Sequence, residues 1–231
     1  MDKERIDQPA SLVAAENKVQ ATTKKKKWNE IEITTGLFNT FTNGFNKMGS
    51  FTKKDGDDKE LIWLVLSTRC LNSMRCAFDL MFSGYYIQSV TIIRSITEDA
   101  ITCKACMGDD LERIKSVFLS EEGGRLFYYA MAQNNDDLKV YEMYKHQCKF
   151  AHSSKLTLGI LSNKGVLKVA PSYDELLFNY CMEAFIRTSV MMTEYLARVL
   201  YYLNKDEARA FDKENGHNLR RATGWLKDIE K

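Results

Sequence analysis

The run ELIWLVLSTRCLNSMRCAFDLMFSG, residues 60–84, decides the fold class. Leu61, Ile62, Val65, Leu66, Leu71, Met74, Phe78 and Met81 recur at three- and four-residue spacing, the period of an amphipathic helix rather than of a strand. Asp57 or Asp58 stands ahead of the run as an N-cap, and Gly84 suits its C-terminal end. A helix of this length has one wide apolar face, which other elements of similar length must cover, so the chain is committed to helical packing.

The flanks repeat the pattern. Ile31, Leu37, Phe38, Phe41 and Phe45 predict a helix from Trp28 to about Met48, closed by Gly49 and the polar loop Lys53 to Asp57. Tyr86, Val90, Ile93, Ile96, Ala100 and Cys103 predict another from Tyr86 to about Met107, with so broad an apolar arc that it should lie in the middle of the bundle. Two shorter helices follow, near Asp110 to Leu119 and Gly123 to Gln133, and Asn135 or Asp136 caps a helix to about His152. Leu156, Leu158 and Ile160 then alternate, Ser162-Asn163-Lys164-Gly165 offers a turn, and Val166, Leu167 and Val169 return, which predicts a short hairpin or ordered loop. Ser172-Tyr173-Asp174-Glu175 matches a capping box opening a long helix to about Leu203, and a polar amphipathic helix from Lys205 to Lys231 completes the chain. The expected fold is all-α, a bundle of about six to eight helices with a short β-hairpin near 156–169.

Composition agrees. The 231 residues are 45% hydrophobic and 28% charged, enough apolar surface for a packed core. Two prolines and twelve glycines are too few for the frequent turns of an all-β sandwich. Residues 1–27 are polar and end in Lys24-Lys25-Lys26-Lys27, a self-repelling run that reads as a flexible basic arm or frayed helix ahead of a single helical domain, 28–231. The lysine run is either a solvated tail or a patch for phosphates or an anionic membrane surface.

A formal charge of +2 is too small to attract nucleic acid without a local patch. The six cysteines, 70, 76, 103, 106, 148 and 181, mostly sit in apolar periodic segments and read as reduced core residues. No apolar leader follows Met1, and the purest apolar stretch, Leu61 to Leu66, is far shorter than the roughly 20 residues that span a bilayer, so a cytoplasmic protein is expected. Cys103-Lys104-Ala105-Cys106 is a lone CxxC without a second ligand cluster or a βαβ context. No phosphate loop, nucleophile elbow or His-Glu-x-x-His motif occurs, and neither a metal nor a cofactor is expected.

The residues with chemical potential gather in 141–154. On a helical wheel Tyr141, Tyr144, Cys148, Ala151 and His152 share one arc, with Lys145 and Lys149 along its edge and His146 directed towards solvent. Lys145 and His152 are two turns apart, about 10 Å along the axis, so a cation and an imidazole on one stripe can grip one phosphodiester. Arg94 and Glu98, an i,i+4 pair at the edge of the Tyr86 helix, can line the same pocket. The plainer readings are a helix-end histidine packed into the core and a merely structural ion pair.

Lys145-His146-Gln147-Cys148-Lys149-Phe150-Ala151-His152 resembles the Arg-x(4 to 6)-His signature of the HEPN superfamily, with lysine where the family has arginine. Gly84-Tyr85-Tyr86-Ile87-Gln88-Ser89 leading to Ile93-Arg94-Ser95-Ile96-Thr97-Glu98, with Tyr144, Cys148, His152 and Ser154 downstream, is similar to segments of bacterial helical families; the likeness covers about residues 60–200. It implies a helical bundle, often dimeric, whose active members cut RNA without a metal in defence or toxin-type systems. By that likeness His152 is the acid/base group, Lys145 the phosphate contact and His146 the polar auxiliary, with Arg94, Glu98, Tyr144, Lys149 and Ser154 in support. Lysine lacks the planar fork with which arginine binds phosphate bidentately.

The aromatic pairs Tyr85-Tyr86, Phe127-Tyr128-Tyr129 and Tyr201-Tyr202 offer stacking surfaces for RNA bases. Since adjacent helical residues point about 100° apart, such pairs also favour a second subunit. The sequence therefore supports two readings: an HEPN-like RNA-cleaving or RNA-binding protein, and a non-catalytic helical module that binds a protein partner.

Overall fold

Within the described residues, helices form where the apolar period predicts them. The structure, a computed structural model, describes residues 8–51, 58–105, 138–151, 162–163, 166–167 and 171–230. Among them lie seven helices: α1 Gln8–Lys26, α2 Trp28–Phe51, α3 Asp58–Phe82, α4 Tyr86–Ala105, α5 Leu138–Ala151, α6 Glu175–Leu203 and α7 Lys205–Ile229. Strands β1 Ser162–Asn163 and β2 Val166–Leu167 pair antiparallel, Ser162 opposite Leu167 and Asn163 opposite Val166. The rest of the expected hairpin and the two short helices expected between 110 and 133 lie outside the described residues.

Two helices share the middle: α4 packs against α3, α5 and α6, and α6 against α2, α3, α4 and α7. Phe178, Met182, Phe185, Ile186, Met192, Leu196 and Leu200 are buried among residues of α2, α3, α4 and α7. Both helices carry wide apolar arcs. α4 keeps a partly exposed edge at Ile92, Arg94, Ser95 and Glu98, while α6 is buried round most of its circumference between Cys181 and Leu200. Close approach of α2 depends on Gly44: a Cβ there would stand 2.6 Å from Leu196 Cδ2 and 2.9 Å from Phe211 Cε2.

The N-cap of α6 is Asp174, two residues beyond the Ser172 of the expected capping box. Its carboxylate accepts from the Leu177 N–H at 3.1 Å. Glu175, which the box would fold back onto the helix start, instead pairs with Lys27 at 3.1 Å and Lys26 at 3.6 Å.

That pairing belongs to a larger feature. The segment read as a flexible arm or frayed helix is helical from residue 8, and Val19, Thr23 and Lys27 are buried. Lys27 joins α1 to α2 without breaking the hydrogen-bond ladder, its N–H donating to the Thr23 carbonyl and its carbonyl accepting from the Ile31 N–H. The docking is largely polar: Gln20 Nε2 donates to Ser83 Oγ at 3.0 Å and the Tyr85 hydroxyl to Glu16 Oε1 at 2.7 Å. A helix held this way has no apolar stripe to read. Lys26 also lies 4.9 Å from the centre of the Tyr173 ring, so two of the four lysines are engaged within the bundle.

Gly84 is where α1, the α3–α4 turn and the approach to α6 meet. At φ +90° it closes α3 as a Schellman motif, Gly84 N–H donating to the Met81 carbonyl and Tyr85 N–H to the Leu80 carbonyl. A Cβ there would lie 3.2 Å from both Val19 Cγ1 and Pro171 Cβ. We expect Gly84→Ala to lower unfolding free energy by about 1–3 kcal/mol. Gly224→Ala, in a helix where a Cβ meets nothing within 4 Å, should instead raise it by roughly 0.5–1 kcal/mol. Urea denaturation of the two variants checks both signs.

Candidate functional site

α5 packs on α4, and a half-buried polar cluster joins them. Arg94 and Glu98 sit one turn apart on α4, with Arg94 Nε and Nη2 at 3.0 and 2.9 Å from Glu98 Oε1. Tyr144 enters from α5: its hydroxyl donates to the same Glu98 oxygen at 3.1 Å and accepts from Arg94 Nη2 at 3.3 Å. The guanidinium carbon lies 5.4 Å from the centre of the tyrosine ring, within reach of a cation–π contact. Burial first, then the Cys148 hydrogen bond and the Glu98 charge, push the Tyr144 phenol well above its ordinary value, so it remains a neutral donor. Burial works against the charge on Arg94, but Glu98 and Tyr144 outweigh it and the guanidinium is held more firmly protonated.

The remaining candidates on α5 divide between two sides. Lys145 is exposed and lies 3.5 Å from Glu142, and Lys149 is exposed one turn further on. His146, about 100° round the helix from Lys145, is exposed towards a different feature, a cleft of about 620 Å³ between α5, α6 and the end of α7. Arg94, Glu98 and Tyr144 are thus brought together, whereas Lys145 and His146 are not. His152 and Ser154 lie outside the described residues.

Two buried polar residues were not singled out from the sequence. Gln147 is fully buried, and neither of its amide atoms has a hydrogen-bond partner among the described residues. Asp99 is 5% exposed, with Oδ2 at 3.1 Å from Arg69 Nε; the same arginine donates to Ser95 Oγ at 2.8 Å. A carboxylate inside the Ile96-to-Ala100 part of an apolar arc was the available signal for Asp99. Burial pushes its carboxyl up to about 7, against the pull of Arg69 and the Cys70 thiol and with a push from Glu98. Arg69 cannot hold it down because its own side chain is 56% exposed and water screens the charge. Burial, then the Asp99 charge, also raises the Cys70 thiol, which is therefore a core thiol rather than a nucleophile.

Among the described residues, no three His, Cys, Asp or Glu side chains converge as a metal site, and no helix is long and apolar enough to cross a membrane. The chain matches no family model, no curated protein and no solved structure.

Asp99 makes stability depend on pH. Its folded value lies above the ordinary 3.8, so the native state binds the proton more tightly; the stabilisation is full below that ordinary value and is lost as pH rises through about 7. In urea titrations the stability of the wild type relative to Asp99→Asn should rise by on the order of 2 kcal/mol between pH 8 and pH 5. A difference that stays constant with pH contradicts this assignment.

Proposed function

We propose that this chain is an HEPN-like helical protein that engages RNA across the outward face of α5, with His152 as the acid/base group for metal-independent cleavage. The reading includes a dimeric, cytoplasmic protein of a bacterial defence or toxin-type system. The observation that carries it is the Arg94–Glu98–Tyr144 cluster, which fixes α5 against α4 while leaving Lys145 and Lys149 exposed one turn apart. His152 follows the last residue of α5 directly in the sequence.

In this chemistry the 2′-hydroxyl of a ribose attacks the adjacent phosphate. His152 takes the hydroxyl proton and returns one to the departing 5′-oxygen, leaving a 2′,3′-cyclic phosphate and a free 5′-hydroxyl. Lys145 supplies a point charge at the phosphate as its negative charge grows. Arg94 has a positioning role, because its guanidinium is already engaged by Glu98 and Tyr144.

That engagement also favours a second reading, a non-catalytic module that binds a protein partner. With Arg94 held by Glu98 and Lys145 beside Glu142, little unopposed positive charge faces an RNA phosphate in the described α4–α5 region.

Incubation of purified protein with total RNA in EDTA separates the two. The RNA reading expects cleavage by the wild type, 2′,3′-cyclic phosphate ends, and loss of both in His152→Ala. It also expects Lys145→Ala to weaken RNA binding and to reduce the slope of log K against log salt by about 0.7, the loss of one phosphate contact to a single strand. No cleavage and no salt-dependent binding by the wild type would favour the protein-binding module.

A further inference from the structure

The cleft beside His146 is separate from the α4–α5 cluster and has a different chemistry. Its apolar surface comes from Met143 of α5, Val190 and Met191 of α6, and Leu226 of α7, with Val190 and Leu226 themselves buried. Its volume of about 620 Å³ falls within the range of about 300–1,000 Å³ typical of small-ligand sites. Among its lining residues, Arg187 Nη2 holds Glu183 and Glu230 at 2.9 Å each, tying the end of α7 to α6.

Two more carboxylates stand on facing elements, Glu142 on α5 and Glu194 on α6. Glu142 has Lys145 3.5 Å away in a pair that is half exposed on both sides, and Glu194 is exposed, with no hydrogen bond or ion pair among the described residues. Four carboxylates therefore line the cleft with one guanidinium and one imidazole, and with Lys145 beside Glu142 they still outnumber the cationic groups, in a cleft whose surface is mainly apolar. An anionic ligand is repelled here, and a fully apolar one leaves the acidic walls without a counter-charge.

We propose that this cleft binds an aliphatic amine carrying at least two ammonium groups. Its methylene chain lies over Met143, Val190 and Met191, and its charges meet Glu142 of α5 and Glu194 of α6. The two thioether side chains adapt to a flexible chain better than branched residues do. The proposal does not rest on the RNA reading, although the two meet at one pair: Glu142 lines this cleft and lies 3.5 Å from Lys145.

Calorimetric titration of spermidine into the nuclease-treated full chain tests it, with butylamine as a single-charge probe and magnesium at matched ionic strength as a charge-only probe. The expected result is saturable one-to-one binding of spermidine, at least tenfold weaker binding of butylamine, and no competition from magnesium. Glu194→Gln should weaken spermidine binding about tenfold without moving the thermal midpoint of the unliganded protein, since Glu194 is exposed. Asp206→Asn, a carboxylate in the first turn of α7 and so at the far end of that helix from Leu226, should leave binding unchanged. Absence of saturable binding overturns the proposal. So does equal weakening by both variants or displacement by magnesium.

Discussion

A long helix with little solvent-facing surface constrains everything packed around it. Between Cys181 and Leu200, α6 turns buried side chains towards α2, α3, α4 and α7, and each of those helices must meet it at a fitting distance. Gly44 lets α2 come close, while Thr188 and Thr97 satisfy one another at 3.1 Å where α6 crosses α4. Thr193 returns its hydroxyl to the Ser189 carbonyl and Thr34 donates to the Met182 sulfur, so polar atoms in this interior mostly find partners close by. Close packing of this kind tolerates little change of volume, which makes α6 the rigid reference for the peripheral helices.

Those peripheral helices are attached differently. α1 is held by Gln20, Glu16 and Lys27, and α5 meets α4 through Tyr144, with hydrogen bonds and ion pairs prominent where the core uses methyl groups. Such contacts are directional, so they fix the angle and register of a helix more firmly than their modest net energies suggest. For α5 this sets which residues face outwards: Tyr144 and Gln147 turn inwards, while Lys145, His146 and Lys149 remain at the surface.

The contrast explains what could be read from the sequence. α2, α3, α4 and α6 have apolar faces, and their periodicity marked them within a few residues. α1 was less legible because Val19 is its one buried apolar residue among those described, and a helix docked through glutamine, glutamate and lysine looks like a solvated tail. The position of the α6 cap differed because two candidate capping side chains stood two residues apart, and Glu175 found Lys27 instead. At the candidate site the Arg94–Glu98 pair was visible as i,i+4 neighbours. Their junction with Tyr144, 46 residues beyond Glu98, depends on how α5 lies against α4, which periodicity does not encode. Asp99 was passed over for a related reason: only the packed structure distinguishes an acid buried beside Cys70 from one at the edge of a helix.

The central claim is that Arg94, Glu98 and Tyr144 act as one unit to hold α5 in place. A double-mutant cycle between Glu98→Gln and Tyr144→Phe, read by chemical denaturation, tests this most directly. The account predicts a coupling of about 0.5–2 kcal/mol, with the double variant less destabilised than the sum of the single ones. Strict additivity would contradict it, leaving α5 held by packing alone and Tyr144 as an incidental neighbour of the ion pair.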